Sequence, residues 1–445
     1  MNFRHAIGAA LVLPAIAAAQ QPAARKLSLA DAVHVAATSS AVVASAVLRT
    51  SQAEARVTQA RSTLLPNISA SALESGHTLN SATFGFNFPS QPGQPPILDP
   101  LGQVIGPVST LDVRGQLTQT LFDAGAYQRY RASQASAAAV STGQVIAAEQ
   151  AAVQAAVAYT QALRADAQLS ARLADSALAA DLLGIAQARV QAGTGVALDV
   201  TRAEAQLAGV HAQLISARNV QARSQLALAR ALSLPLDTRF ELTDSLGVGP
   251  LPDTTDLSAA VDAAVRSRPD VLELDGQMRA ARMQVNATRN EWLPSLRLFG
   301  DDGAIGLRLN QMLVTYTWGL ELSVPLFDGS KRTGRVSEQD AALRELQVRE
   351  RDLRQQVAAD VRGALLDLSS ARQAVGAVRE HVRLAEQEVS QARDRFTAGV
   401  AGNADVITAS LSLNQARTQL IDAETAFQSA RISLARAEGH AVALH

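Results

Sequence analysis

The sequence predicts an α+β membrane protein in which long antiparallel helices run into β-hairpins. Three observations lead there: a tandem repeat over nearly the whole chain, heptad stripes on helices longer than a globular domain uses, and a segment that alternates apolar and polar residues over a barrel strand's length. Composition agrees, since 47% of the 445 residues are hydrophobic but only 4% are aromatic. Alanine supplies roughly a fifth of the chain, which favours long helices in close approach over a bulky globular core. The 40 basic and 41 acidic residues leave a formal charge of −1, so no global field recruits nucleic acid or an anionic membrane surface. Cysteine is absent, which excludes disulfides, thiolate metal sites, cysteine nucleophiles and a lipid-modified N-terminal cysteine.

At the N-terminus, Arg4 and His5 precede an apolar run from Ala6 to Ala19, which ends in Ala17-Ala18-Ala19 before Gln20. Residues 1–19 read as a secretory signal peptide, because the run is too short to cross a bilayer and ends at an Ala-x-Ala cleavage site. No later segment offers about 18 consecutive apolar residues, so a membrane-embedded mature chain must use strands.

The repeat fixes the organisation. Leu29, Ala32, Val33 and Ala36 with Leu65-Pro66 return at Leu257, Ala260, Val261 and Ala264 with Leu293-Pro294, an offset of 228. Leu121-Phe122-Asp123 returns at Leu326-Phe327-Asp328, an offset of 205, and Arg189-x-x-Ala-Gly193 with Asp199-Val200 returns as Arg395-x-x-Ala-Gly399 with Asp405-Val406, an offset of 206. The first half therefore holds 23 extra residues between its Leu-Pro and its Leu-Phe-Asp, and Pro89 to Pro107, with six of the 15 prolines, reads as an exposed irregular loop there. The predicted units are repeat 1 over 20–234, with a β-hairpin at 64–122 and a helical hairpin at 125–234, a linker at 235–256, and repeat 2 over 257–445, with a β-hairpin at 293–327 and a helical hairpin at 331–438.

The clearest helix carries Val406, Ala409, Leu413, Ala416, Leu420, Ala423, Phe427, Ala430, Leu434 and Ala437 at alternating steps of three and four. Large and small residues alternate along that stripe, as knobs-into-holes packing requires. The preceding segment, free of proline from about Arg332 to Ala398, predicts a helix of roughly 100 Å. Two segments of about 36 residues, 257–292 and 403–438, would match it end to end as two stacked half-length helices. The face opposite the stripe carries Ser410, Asn414, Arg417, Glu424 and Gln428, polar residues suited to water.

Ahead of the second Leu-Phe-Asp the period changes to two. Met312, Val314, Tyr316, Trp318, Leu320, Leu322, Val324 and Leu326 are apolar, with Thr315, Thr317, Glu321 and Ser323 between them, as on a barrel strand with lipid on one side and water on the other. Leu111, Val113, Leu117 and Leu121 form a weaker copy, and Trp292, Tyr316 and Trp318 are candidate membrane-interface anchors, with ordinary packing as the alternative. Four strands per chain cannot close, and lipid does not tolerate open edges, so several copies must complete the barrel.

Two repeats, each with Leu-Pro at a helix-to-strand junction, Leu-Phe-Asp at strand exit and Gly-x5-Asp-Val at a helical turn, resemble the TolC-like outer-membrane efflux protein family over about 27–438. The resemblance implies a homotrimer with a twelve-stranded barrel in outer-membrane lipid, continuous with a long α-helical barrel across the periplasm. It implies an exit duct of a tripartite efflux or type I secretion system, joined by a periplasmic adaptor protein to an inner-membrane pump. Docking would fall on the tips, Ala192-Gly193-Thr194 and Ala398-Gly399-Val400, where glycine permits positive φ. Asp199 and Asp405, each six residues after its turn glycine, would bring six carboxylates of a trimer to one level as a lumen gate. Each aspartate also fits a plainer role in capping its returning helix. The chain departs from the family at Ala401 and Thr408, where a cation and a second carboxylate of the gate are expected, and in lacking the N-terminal cysteine that some relatives lipidate.

The search for chemistry yields no cofactor, metal or catalytic expectation. The seven histidines lack zinc-site spacing, Gly193-Thr194-Gly195 lacks a third glycine and a preceding strand, and there is no nucleophile elbow or phosphate loop. The triplets at Asn67 and Asn286 match glycosylation acceptors by chance. A periplasmic adaptor is the alternative function, but it would carry a small β-domain around one helical hairpin. An exported enzyme would need a convergent polar site that the sequence does not supply.

Overall fold

The computed structural model describes residues 25–84, 102–249 and 257–444. The predicted signal peptide lies outside these residues, as do most of the proline-rich tract and the end of the linker. In chain order the elements are β1 (Arg25–Leu27), α1 (Leu29–Ser39), α2 (Ala41–Ser62), β2 (Asn67–Asn80), β3 (Val104–Phe122), α3 (Ala124–Gln191), α4 (Ala197–Ala231) and β4 (Phe240–Leu242). The second half adds α5 (Leu257–Ser267), α6 (Pro269–Arg289), β5 (Ser295–Gly306), β6 (Leu313–Ser323), α7 (Lys331–Thr397) and α8 (Asn403–Glu438).

The long helices α3 and α7 have 68 and 67 residues, each roughly 100 Å. The aspartate of Leu-Phe-Asp stands close to the start of each. Asp123 is the N-cap of α3 and takes the Ala126 amide at 2.8 Å, whereas the N-cap of α7 is Ser330, which makes no side-chain cap bond, and Asp328, two residues before it, takes the Arg332 amide at 3.0 Å. The Leu-Pro motifs stand immediately before β2 and β5, where proline ends the helical ladder without removing a sheet hydrogen bond.

The half-length helices that enter each repeat are broken, unlike the single helix expected over 257–292. Pro269 occupies the first turn of α6, and Arg268 before it is extended (φ −61°, ψ 126°), because the proline ring disfavours helical geometry in its predecessor. In repeat 1 the break is Ser40, whose side chain caps α2 through the Val43 amide. The segment Leu29–Ser62 is apolar enough for one membrane-crossing helix by length and composition, yet it is two helices, both packed on α3.

Between α7 and α8 the expected stripe is the core, with Val406, Ala409, Leu413, Ala416, Phe427, Ala430, Leu434 and Ala437 all buried. The opposite face is not a water face. Asn414 and Arg417 bond Asp175 on α3, and Gln428 donates to the Gly247 carbonyl at 2.7 Å. The α8 helix is sandwiched between α7 and repeat 1: Asn414 and Arg417 pair across that second interface, while Glu424 pairs with Arg379 on α7 at 2.7 Å.

Near mid-length, β1 and β4 pair in parallel, Leu27 opposite Leu242. The buried Tyr159 on α3 ties them down by donating to the Leu27 carbonyl at 3.0 Å and Asp244 at 2.8 Å. Burial, together with donation to the Asp244 carboxylate, pushes its phenol well above the ordinary tyrosine range.

The two β-hairpins form one antiparallel sheet in the order β2-β3-β5-β6. The second hairpin is shorter than 293–327: β6 ends at Ser323, before Pro325, which cannot donate to a ladder. Val104 to Pro107 of the expected loop instead belong to β3. A register shift between Thr120 and Phe122 leaves Leu121 unpaired and places Phe122 opposite Leu296, so Phe122 takes the place expected for Leu121.

Candidate functional site: the strand sheet and the helical tips

Residues directly opposite in the antiparallel ladders share a face, so the register sorts the sheet into two sides. One carries Val314, Tyr316, Trp318, Leu320 and Leu322 of β6, opposite Ala304, Asp302, Gly300, Leu298 and Leu296 of β5. Tyr316 and Trp318 on this side are 71% and 73% exposed, with no protein layer over them. They stand two residues apart within the strand and not at its end, whereas Trp292 sits at the sheet's base with the Arg332 guanidinium 5.4 Å from its ring centroid. The composition of this side on β5 and β6 matches a lipid-facing surface, with Asp302, opposite Tyr316, as a polar exception there and Gln119 and Glu74 as further ones on β3 and β2.

The other side is polar. Arg114 pairs with Asp112 at 2.6 Å and with Asp301 of the second hairpin at 2.8 Å, and Arg297 pairs with Glu321 at 3.7 Å. The Arg114 link locks the two repeats in register across β3 and β5 and suits a water-filled interior.

At the far end of the long helices lie the two tips. Gly193 has φ +73° and Gly399 φ +76°. In each turn the glycine amide bonds the carbonyl three residues back, and the next amide bonds the carbonyl five residues back, a Schellman closure built identically in both repeats. Ala192, Thr194, Ala398 and Val400 are exposed around these glycines. The matched Arg-x-x-Ala-Gly sequences thus encode a backbone geometry, with the glycines supplying a left-handed residue at little steric cost.

Asp199 and Asp405 both lie in the first turn of their helices, α4 and α8. Neither caps its helix: the N-cap residues are Val196 and Gly402, with no side-chain cap bond in either case. The helix dipole remains as the only local stabilisation and is worth about 0.3–1 kcal/mol. The two helix starts are adjacent, because Asn403 donates from Nδ2 to the Asp199 carbonyl at 2.9 Å.

Sequence reasoning missed the residues that join the tips. Arg189 on α3 crosses to repeat 2, donating to the Phe396 carbonyl at 2.7 Å with its guanidinium 4.7 Å from the Phe396 ring centroid. A cation is thus present at the tip, not at Ala401 but on the opposing hairpin. Further up, Asp175 is buried and accepts from Asn414 at 2.6 Å, Arg172 at 3.1 Å and Arg417 at 3.3 Å. The only sequence signal for these residues was a charge on an otherwise alanine-rich helix, which does not name a partner.

A family profile described as "Outer membrane efflux protein" matches residues 32–233 and 260–440, one stretch in each repeat. Alkaline protease secretion protein AprF of Pseudomonas aeruginosa is 27% identical over 323 residues, covering 71% of this chain and 66% of AprF. Protein CyaE of Bordetella pertussis is 29% identical over 199 residues, covering 42% of this chain and 40% of CyaE. The chain therefore spans less than two thirds of either relative's length. Among solved structures, the open state of the Neisseria gonorrhoeae MtrE outer membrane channel is similar in fold, with a TM-score of 0.75 and 19% identity over 93% of this chain and 89% of that one. With both repeats matched and the fold that of an outer-membrane channel, the chain belongs to the outer membrane efflux protein family.

Proposed function

We propose that three copies of this chain form an exit duct through the outer membrane, exported by the signal peptide at 1–19, with the helical hairpins projecting into the periplasm. The sheet carries this reading. Its outer strands, β2 and β6, pair on one side only among the described residues, while one face of the sheet is apolar. Open edges in lipid leave backbone groups unsatisfied, and pairing β6 of one copy with β2 of the next removes both edges. Three four-stranded sheets then give a barrel of twelve strands. Trp292, Tyr316 and Trp318 contact outer-membrane lipid, and the Arg114 and Arg297 ion pairs line the lumen.

The tips dock a periplasmic adaptor protein, which connects the duct to an inner-membrane pump. The duct's work is passage and selection by charge, with Asp199 and Asp405 forming a six-carboxylate constriction at the periplasmic end. Neither carboxylate has an ion pair or hydrogen-bond partner among the described residues, which leaves both available to passing cations. The test is conductance of the purified protein in planar bilayers. Asp199→Asn with Asp405→Asn is expected to keep the trimer and the channel but to weaken cation preference and multivalent-cation block. Unchanged selectivity and block with a lowered melting temperature would sink the gate and leave only the dipole role.

A further inference from the structure

The two repeats superpose in sequence at an offset of 206 along the helical hairpins, from Arg189 to Arg395 and from Asp199 to Asp405. In the single chain, the α3/α4 hairpin meets the α7/α8 hairpin across one seam. In the proposed trimer the same arrangement continues round the ring. Each α7/α8 hairpin then meets the next copy's α3/α4 hairpin across a second seam, with equivalent positions facing one another. Contacts seen within the chain therefore specify which residues meet between copies.

Within the chain, the seam is fastened by Asp175 on α3, which holds Arg417 on α8 at 3.3 Å. The equivalent of Asp175 is His381 on α7, and the equivalent of Arg417 is His211 on α4. Both histidines are exposed in the single chain, whereas Asp175 is only 7% exposed, as expected if the surface that covers the histidines is another copy. Of the other groups gathered on Asp175, Arg172 becomes Val378 and Asn414 becomes Ala208, while the Arg164–Asp422 pair farther from the tip becomes Ser370 and Ser216. One turn pair nearer the tip, Leu182 and Ser410 line a common cleft, and their equivalents are Glu388 and Glu204. The seam between copies thus exchanges a carboxylate–guanidinium link for two imidazoles, with two added carboxylates on the same side.

We infer that His381 of one copy and His211 of the neighbouring copy form a two-histidine station for a zinc-class divalent cation, fastening the seam between copies where the chain's own seam uses Asp175. This rests on the trimeric reading above. Neutral imidazole nitrogens hold zinc at about 2.0–2.1 Å, and water completes a tetrahedral shell. Glu388 and Glu204 do not ligate directly, since each lies two helical turns, about 10 Å, from its own histidine. Their negative charge favours a cation in the seam. Three such stations occur per trimer, none within a single chain.

The experiment uses full-length, tag-free protein in mild detergent, with zinc chloride as the probe and the oligomeric state measured by light scattering on the same sample. Saturating zinc is expected to raise the trimer's melting temperature by about 2–4 °C, reversibly with chelator, because a ligand that binds only the assembled state stabilises it. His381→Ala and His211→Ala should each remove the shift while leaving the trimer and its conductance in place. In a cysteine-free chain, His211→Cys with His381→Cys should also be joined by a short bis-maleimide into two- and three-chain species, which neither single variant gives. A trimer that shows no zinc shift, a shift that survives both alanine variants, or a double-cysteine trimer that crosslinks only within chains overturns the station. A folded monomer overturns the duct reading, and the station with it.

Discussion

Replacing Asp175 with alanine is expected to be the most destabilising single change in the helical region. The carboxylate is buried on α3 and is the shared acceptor for Arg172, Asn414 and Arg417. Removing it leaves two guanidiniums and an amide facing one another inside a packed interface. Losing one partner of a buried ionic network costs more than the net worth of the pair, because the remaining charges stay desolvated. Arg172 and Arg417 keep some solvent contact, which lowers the expected cost to about 2–4 kcal/mol per chain. Asp175→Asn retains one acceptor oxygen and should lose about half as much. Thermal unfolding in detergent measures both, and an alanine variant as stable as the parent would show that the network is not what fastens repeat 1 to repeat 2.

The largest functional loss is expected at Gly399. Its φ of +76° lies where a side chain is strained, and Arg189 Nη2 stands 3.7 Å from where a Cβ would be. Leucine there should cost about 1–2 kcal/mol of local strain, too little to disassemble a structure held by helices of this length. It would nonetheless distort the Schellman turn and place a bulky group on the exposed tip. Gly399→Leu is therefore expected to abolish export in cells while the trimer forms normally. Full transport by that variant would count against adaptor docking at the tip. Gly193→Leu probes the other turn, where φ of +73° strains a side chain equally and an added Cβ meets no atom within 4 Å, so a comparable loss is expected there if both tips dock.

Much of the fold is legible in the sequence because its determinants are periodic and local. The heptad stripe ending at Ala437 states which face of α8 is buried, and the alternation from Val314 to Leu322 states which side of β6 is apolar. The Leu-Phe-Asp and Arg-x-x-Ala-Gly motifs are visible because each encodes a local backbone event, a cap and a left-handed turn. What the sequence hides is which polar group meets which. Arg189 reaching the Phe396 carbonyl, and Asp175 gathering partners from α8, depend on how one repeat lies on the other, and no spacing within either repeat reports that. The same gap made the Asn414 face of α8 read as a water face. The bulge at Leu121 was hidden because a strict two-residue period assumes an unbroken ladder. The break at Pro269 is legible too, since a proline in a helix's first turn marks a start, but matching the length of 257–292 to half of the long helix takes no account of it.

Within a chain the tips are joined by Arg189 and Asn403. In the proposed trimer the equivalents across the seam between copies are Arg395, with Val190 and Ala197 in place of Phe396 and Asn403, so neither the aromatic face nor the amide has a counterpart there.

All of this rests on one claim, that the four-stranded sheet is a third of a closed barrel. Multi-angle light scattering of the mature protein in mild detergent, corrected for bound detergent, tests it most directly. A closed barrel requires a single species with three times the mass of the chain, and a folded, membrane-inserted monomer would rule it out.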